Sequence, residues 1–187
     1  LLVEAVLGAL PEELPCAVLD LCTGSGCIAA TIAAERPLAR VHAVELSSEA
    51  FAAAALNFVA IGVAERVALF EGDLYGALPT DARFDAVVSN PPYIATGELA
   101  GLSAEVKCEP HLALDGGPDG LAIIRRVIEG AHHWLRPGGL LALEIGDTQG
   151  AAVLEHLRQR GYVEARIERD LARQDRLALA RSVVAKE

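Results

Sequence analysis

The stretch Val18-Leu-Asp-Leu-Cys-Thr-Gly-Ser-Gly26 decides how this chain folds. The apolar run over 17–21 predicts a strand buried on both faces, because it does not alternate with polar residues. Gly24 and Gly26 follow at once, and the apolar spacing over 28–35 then predicts a helix. Glycines between a buried strand and a helix let a ligand approach the backbone closely. The stretch therefore predicts a ligand-binding loop at the carboxyl end of a strand in an α/β sheet.

Outward from this loop, strand-like and helix-like segments alternate. The predicted strands are short and continuously apolar, which is typical of parallel strands covered on both faces; they lie at 17–21, 41–45, 67–70, 84–89 and 140–145. The predicted helices carry apolar residues three and four apart and lie at 28–35, 49–61, 121–135 and 151–160. Ser47 or Ser48 is expected to cap the second helix, and Pro118 to open the third. This alternation predicts a mostly parallel sheet.

Two segments depart from the alternation. Residues 162–167 and 176–184 are both strand-like, and the link between them is too short for a crossover helix, so they are expected to pair antiparallel. Residues 94–117 are rich in glycine and proline, and loops of such length are usually functional or disordered. In this segment Glu105, Lys107 and Glu109 are expected either to border a substrate channel or to form a solvated polar face.

Composition narrows the functional class. The length of 187 residues is close to one domain, since domains run to roughly 150 residues. Sixteen basic against 26 acidic residues give a net charge of −10, which disfavours nucleic acid as a direct partner. No stretch approaches the roughly 18 apolar residues of a membrane span, and the first ten residues lack a secretory pattern. The four cysteines form no Cys-x-x-Cys pair, so we expect no metal site and a cytoplasmic location.

The glycine loop restricts the class of cofactor. Residues 24–29 satisfy G-x-G-x-x-A, and Glu45 ends the second strand about 20 residues on, where an acid can accept from ribose hydroxyls. Alone, this also fits a nicotinamide dinucleotide or a structural turn. Asp20 would repel a diphosphate but suits a cationic amino group, which leaves the helix N-terminus for a carboxylate. S-adenosylmethionine carries both groups, and Asp73, after the third strand, could accept from its adenine amine.

A second loop, Asn90-Pro91-Pro92-Tyr93, follows the fourth strand at the same predicted sheet edge. The prolines lack N–H donors, so the loop presents carbonyl oxygens. Together with the Asn90 side-chain oxygen, these can accept both hydrogens of an NH₂ group and turn its nitrogen toward an electrophile. Tyr93 is expected to stack on a planar amide or to shield a sulfonium. The alternative is a rigid surface turn.

The sequence resembles the HemK/PrmC family of protein glutamine methyltransferases, which modify the Gly-Gly-Gln glutamine of peptide chain release factors. The resemblance covers nearly the whole chain. Its motifs are Val18-Leu-Asp-Leu-Cys-Thr-Gly-Ser-Gly26, Val88-Ser-Asn-Pro-Pro-Tyr-Ile94, Glu105-Val-x-x-Glu-Pro110, Ala113-Leu-Asp-Gly-Gly117, Asp119-Gly-Leu121, Pro137-Gly-Gly-Leu140, Leu143-Glu-Ile-Gly146 and Asp170-Leu-Ala172. Arg173 stands where glycine is common in the family, which predicts an altered turn.

The resemblance implies a class I S-adenosylmethionine-dependent methyltransferase fold, Rossmann-like, with a mostly parallel seven-stranded sheet and an antiparallel C-terminal strand pair. It implies glutamine binding at Asn90, Pro91, Pro92 and Tyr93. Combined with the residue chemistry, it gives a cofactor set of Asp20, Cys22, Thr23, Gly24, Ser25, Gly26, Glu45, Leu46, Asp73, Leu74 and Asn90. The product of the cofactor would be S-adenosylhomocysteine.

The resemblance also sets expectations about organisation and substrate. Residues 1–187 are expected to be a catalytic domain without the N-terminal helical substrate-recognition domain of the family, and to act as a monomer. The expected partner is a class I peptide chain release factor, with no membrane and no direct nucleic acid. Two alternatives stay open, a glutamine of a ribosomal protein and the amino group of adenine in nucleic acid.

Overall fold

The computed structural model describes residues 1–103 and 106–183. Seven strands form one sheet in the order β3-β2-β1-β4-β5-β7-β6. Their bounds are β1 Cys16–Leu21, β2 Ala39–Glu45, β3 Val67–Glu71, β4 Phe84–Ser89, β5 Leu135–Glu144, β6 Val163–Arg169 and β7 Asp175–Arg181. The α-helices are α1 Leu2–Ala9, α2 Cys27–Glu35, α3 Ser48–Ile61, α4 His111–Leu114, α5 Ala122–Trp134 and α6 Gly150–Gln159.

Three sequence predictions fall outside the described residues. They are Glu105, the Lys107 side chain and residue 184, the last of the predicted strand 176–184; that strand already ends at Arg181, earlier than predicted. In the described ranges, no helix combines the length and apolar character needed to span a membrane.

Helices cover both faces of the sheet because successive residues of its central strands point to opposite sides. Val18 of β1 packs into the core formed with α1, α2 and α3. Leu19, its neighbour, packs into the core formed with α5 and α6. This two-sided burial is the physical reason that the central strands are continuously apolar in sequence.

Strand order reverses at β1, which pairs with β2 on one side and β4 on the other, both parallel. Open α/β sheets bind ligands in the crevice at such a reversal, beyond the carboxyl ends of the strands. Leu21 at the end of β1 stands opposite Ser89 at the end of β4. The glycine loop and the Asn90–Tyr93 loop therefore leave the sheet side by side.

The predicted mostly parallel sheet with an antiparallel C-terminal pair is confirmed. β7 runs antiparallel to β5 and to β6. The turn before β7 contains Arg173 at φ +63°, so an arginine holds a left-handed position that favours glycine. Ser47 caps α3 as predicted, with its hydroxyl oxygen accepting from Ala50 N at 3.3 Å.

Two predicted boundaries were wrong. β5 begins at Leu135 rather than at 140, because Leu135 pairs with Phe84 before a register shift that accommodates the Pro-Gly-Gly sequence. Pro118 does not open α5, which begins at Ala122. Gly120 intervenes with φ +72°, a left-handed value that a continuous right-handed helix cannot contain.

The long segment after Tyr93 has internal structure in its described part. It contains 3₁₀ turns at Thr96–Gly101 and Val106–Cys108, followed by α4. Its two ends meet in an isolated bridge between Ile94 and Asp115. The segment therefore forms a closed excursion that returns beside the loop from which it departs.

Candidate active site

A cleft of about 470 Å³ opens at the carboxyl edge of the sheet, within the roughly 300–1,000 Å³ typical of small-molecule sites. Its wall includes most of the residues predicted to hold a cofactor, namely Cys22, Thr23, Gly24, Ser25, Glu45, Leu46, Asp73, Leu74 and Asn90. Of the residues predicted to bind glutamine, Pro92 and Asn90 line it. Four predicted residues are positioned away from the wall: Asp20, Gly26, Pro91 and Tyr93.

Asp20 lies beneath the glycine loop, with 0% of its surface exposed. Its Oδ2 accepts from Thr23 Oγ1 at 2.5 Å and from Ala29 N at 3.1 Å, so it fastens the loop to the start of α2. Its Oδ1 has no hydrogen-bond partner among the described residues. Burial raises the pKa of Asp20 to about 7, against the two hydrogen bonds and with help from the charge of Glu45. Direct contact with a cofactor amino group stays a prediction.

Glu45 joins the ends of β1 and β2. Its Oε2 accepts from Gly24 N at 2.7 Å, and its Oε1 accepts from Ser47 N at 2.9 Å. These backbone donors fix the orientation of the carboxylate. Each carboxylate offers about four lone-pair sites, so both oxygens can still accept from hydroxyl groups in the cleft.

The two motif glycines serve different purposes. Both have left-handed φ values, +58° at Gly24 and +84° at Gly26. A Cβ at Gly24 would meet nothing within 4 Å, which leaves room for a ligand. A Cβ at Gly26 would meet the Phe58 ring of α3 at 2.5 and 2.7 Å. Gly24 therefore gives access to the cleft, whereas Gly26 lets two helices pack.

Cys22 begins the glycine loop in the left-handed region, with φ +57°. Burial raises the pKa of its thiol to about 12, although a hydrogen bond with Ser89 opposes this. The thiol is therefore neutral at physiological pH and contributes to the cleft as a small apolar wall residue.

The opposite end of the cleft is formed where β3 ends. Asp73 pairs with Arg126 of α5 at 2.7 Å, and both side chains are about half exposed, at 53% and 48%. Leu74 follows in the left-handed region with φ +48° and packs into the α5 side of the core. Asp73, predicted to meet an adenine amine, is thus already oriented by a guanidinium.

The Asn90–Tyr93 loop begins at a fixed point. Ser89 is fully buried, and its hydroxyl donates to Leu21 O at 2.7 Å, which joins β4 to β1 directly below both loops. Asn90 is exposed and lines the cleft, as does Pro92, whereas Pro91 is buried. The Asn90 amide and the backbone of Pro92 are therefore available to a group that enters the cleft.

Tyr93 turns toward β5. Its hydroxyl lies 3.4 Å from Glu144 Oε1. Burial raises the pKa of Tyr93, the charge of Glu144 adds to this, and the charge of Arg176 opposes it. The phenol is therefore a neutral donor, beside the cleft rather than in its wall.

Sequence reasoning missed much of the wall formed by the long segment and by α5. These residues are Leu112, Ala113, Asp115, Ile123 and Arg126. Glu109, a candidate substrate contact, also lines the cleft. The motif over 113–117 was the available signal, but Ile123 and Arg126 lie in an amphipathic helix whose apolar pattern indicates only packing. In the described residues, no group of three or more His, Cys, Asp and Glu side chains could hold a metal ion.

Comparison with known proteins finds several similar sequences. The chain is 48% identical over 179 residues to a release factor glutamine methyltransferase from Cereibacter sphaeroides, and 47% identical over 182 residues to one from Moorella thermoacetica. Each alignment covers 95% of this chain, which spans 64% of the length of each relative. A ribosomal protein uL3 glutamine methyltransferase from Burkholderia pseudomallei is 47% identical over 143 residues, 73% of this chain and 47% of that protein. The resemblance inferred from the motifs is confirmed.

Solved structures confirm the fold class. A methyltransferase from Pyrococcus furiosus superposes with a TM-score of 0.70 at 19% identity, over 97% of this chain and 82% of that one. The methyltransferase domain of METTL16 gives 0.70 at 21% identity, over 96% and 79%. The family model described as the methyltransferase small domain matches residues 3–105, which include the glycine loop and the Asn90–Tyr93 loop. The chain belongs to the methyltransferase small domain family.

Proposed function

We propose that this chain binds S-adenosylmethionine in the cleft and methylates the side-chain amide nitrogen of the glutamine in the Gly-Gly-Gln motif of class I peptide chain release factors. One observation carries the proposal. The register of Leu21 opposite Ser89 sets a loop suited to an amino acid nucleoside beside a loop suited to an NH₂ group. The 48% identity to a release factor glutamine methyltransferase supports the substrate class.

The cleft residues fit S-adenosylmethionine by their donor and acceptor chemistry. Backbone N–H groups at the start of α2 suit its carboxylate. Glu45, oriented by Gly24 N and Ser47 N, suits the ribose hydroxyls. Asp73, held by Arg126, suits the adenine amine. The Oδ1 of Asp20, which has no partner among the described residues, leaves an acceptor beneath the loop, and a cationic amino group nearby would favour ionisation of this carboxyl.

When bound, this cofactor supplies an electrophilic methyl group and leaves as S-adenosylhomocysteine. The chain has to solve a different problem, since an amide nitrogen is a weak nucleophile. Acceptors on Asn90 and on the proline carbonyls would accept hydrogen bonds from both amide hydrogens, hold the nitrogen in place and increase its electron density. Once methylated, the nitrogen would lose one of these protons to water. Tyr93, a neutral donor beside Glu144, would close the apolar side of this pocket. The side chains thus position the nitrogen and stabilise its developing charge.

A glutamine of a ribosomal protein is the second candidate substrate, supported by the 47% identity to a uL3 glutamine methyltransferase. Adenine in nucleic acid has less support because the net charge of −10 opposes phosphate binding. We further propose that residues 1–187 act as a monomeric catalytic unit. A protein substrate would reach the cleft past the exposed Asn90 side chain.

The test is transfer of a tritiated methyl group from S-adenosylmethionine by this chain. The acceptors are a purified class I release factor, the same factor with Gly-Gly-Ala in place of Gly-Gly-Gln, purified uL3 and total RNA. We expect label on the release factor that is lost with the glutamine. Label only on uL3 or only on RNA would replace the proposed substrate. No label on any of the four would contradict the proposed activity of this chain.

A further inference from the structure

Gln149 occupies an unusual position for a glutamine. It is the N-cap of α6, where Ser, Thr, Asp or Asn normally turns its side chain back onto the helix. The Gln149 side chain makes no such cap. It extends instead toward the Asn90–Tyr93 loop. Because the Gln149 side chain does not cap α6, its role has to follow from the other groups that its amide contacts.

The Gln149 amide connects three chain segments that are distant in sequence. Its Nε2 donates to Tyr93 O at 2.8 Å and to Gly120 O at 3.2 Å. Its Oε1 accepts from Gly146 N at 2.9 Å. One side chain therefore joins the end of the Asn90–Tyr93 loop, from here on called the acceptor loop, to the turn before α5 and the turn after β5. We name these four residues, Gln149, Tyr93, Gly120 and Gly146, the Gln149 clamp.

Two glycines make the close approach possible. A Cβ at Gly120 would lie 2.6 Å from Gln149 Nε2 and would also collide with Tyr93 O. A Cβ at Gly116 would lie 2.8 Å from Pro92 O. The carbonyl groups of Pro92 and Tyr93 are thus packed against bare backbone on their inner side. Only glycine leaves enough room at both positions.

We propose that Gln149 is a positioning residue for methyl transfer, an inference that rests on the proposed function. By donating to Tyr93 O, it turns that carbonyl away from the substrate. Gly116 N donates to Ile94 O at 2.8 Å, so this carbonyl also has a partner within the protein. The acceptors left for the substrate amide are then those of residues 90–92, held at a fixed angle. Gln149 itself lies outside the cleft wall, so it acts through the loop.

Glutamine is the side chain that this geometry requires. Two carbonyl oxygens need donors and one N–H needs an acceptor, and a neutral amide supplies both. A glutamate would keep the acceptor for Gly146 N but would place carboxylate oxygen against two carbonyls. A methionine of similar shape would supply neither function. These two substitutions therefore separate the donor half of the clamp from its acceptor half.

The test compares Gln149→Glu and Gln149→Met with wild type, and uses Gln159→Glu as the matched control. Gln159 ends the same helix and donates to Glu155 on the exposed surface. With the release factor as acceptor, we expect kcat to fall about 30-fold or more in both Gln149 variants, because small displacements of a reacting group are costly. The dissociation constant for S-adenosylhomocysteine should stay within about threefold, since Gln149 is not in the cleft wall.

Two further readouts distinguish positioning from general support of the fold. Lowering the pH from 8 to 6 should raise kcat of Gln149→Glu relative to wild type, because a protonated carboxyl can donate to Tyr93 O again. Hydrogen exchange should accelerate over residues 93–96 in both variants. Exchange at Gly146 N should accelerate only in Gln149→Met.

Three outcomes would overturn the proposal. The first is a kcat within threefold of wild type in both Gln149 variants. The second is an affinity for S-adenosylhomocysteine that falls in parallel with kcat. The third is hydrogen exchange that accelerates evenly over the whole sheet. The exchange measurement needs no substrate. If wild type fails to label the release factor, local exchange at 93–96 still supports the clamp while the proposed function fails.

Discussion

The two loops of the cleft are held in different ways. The partners of the glycine loop lie comparatively near in the chain. Thr23 bonds Asp20, three residues away, Gly24 N donates to Glu45, 21 positions away, and Asn57 donates to Ser25 O, 32 positions away. The acceptor loop is fixed by partners far along the chain. Ser89 bonds a residue 68 positions away, and Tyr93 O accepts from Gln149, 56 positions away. Both loops have a motif that can be recognised in the sequence, but the distant residues that hold the Asn90–Tyr93 loop are brought to it only by folding.

This difference predicts that substitutions at one loop impair methyl transfer and substitutions at the other impair cofactor binding. The largest effect is expected from a comparison of two asparagines, Asn90 and Asn57. Asn90→Ala should lower kcat for methyl transfer by about 10² or more while product affinity stays within about tenfold. Asn57, whose amide donates to Ser25 O at 2.8 Å, belongs to the glycine loop side. Asn57→Ala should weaken product binding about threefold with kcat nearly unchanged. Calorimetry and single-turnover kinetics measure both, and the same profile in the two variants would break the distinction.

The next effect separates the two motif glycines. Gly24→Ala should lower the free energy of unfolding by about 1 kcal/mol, because only its left-handed backbone opposes a Cβ. Gly26→Ala should lower it by about 3 kcal/mol, since the Phe58 ring must also move. Urea unfolding measures both. Equal losses would contradict the different purposes of the two glycines, and Phe58→Leu should recover part of the loss in Gly26→Ala but not in Gly24→Ala.

A third experiment concerns Asp20, the buried acid beneath the glycine loop. The folded pKa of Asp20, about 7, lies above its ordinary value of 3.8. The protonated carboxyl therefore stabilises the fold below pH 3.8, and this stabilisation is lost as pH rises through about 7. Between pH 5 and 7, stability should shift by about 2 kcal/mol in favour of Asp20→Asn relative to wild type.

The control for that experiment is Asp81→Asn, which changes an exposed acid in the same way. Its stability relative to wild type should stay constant over the same pH range. A constant difference for Asp20→Asn as well would show that Asp20 remains charged in the folded protein.

A last binding experiment tests the end of the cleft at Asp73, where the adenine is expected to bind. Arg126→Met removes the partner of Asp73 and should weaken S-adenosylhomocysteine binding about fivefold, as expected for an exposed ion pair. It should also reduce the preference for that ligand over its inosine analogue, because Asp73 loses its orientation. Arg125→Met is matched in helix and exposure but pairs with Asp119 at 2.6 Å. Titrations of the Arg125→Met variant with S-adenosylhomocysteine and with the inosine analogue should match those of wild type. A loss of affinity similar to that of Arg126→Met would instead assign the effect to helix α5 as a whole.

Sequence reasoning succeeded where one local pattern had one physical cause. Continuous apolar runs identified the central strands because burial on both faces requires them. The stretch from Val18 to Gly26 identified the first loop, and Asn90–Tyr93 the second. It failed on Pro118, whose role depended on the conformation of Gly120. It also did not distinguish Gly26 from Gly24, because Phe58 of α3 packs against only one of them.

The sequence by itself determined the alternation of strands and helices, the two loops and the types of chemical group that they carry. Only the tertiary structure decided which groups face the cleft. It put Asp20 beneath the loop, turned Tyr93 toward Glu144, set Arg126 on Asp73 and brought Gln149 to the back of the acceptor loop. Side-chain identity and spacing fix local conformation, whereas contacts between distant segments follow from the strand order of the folded sheet.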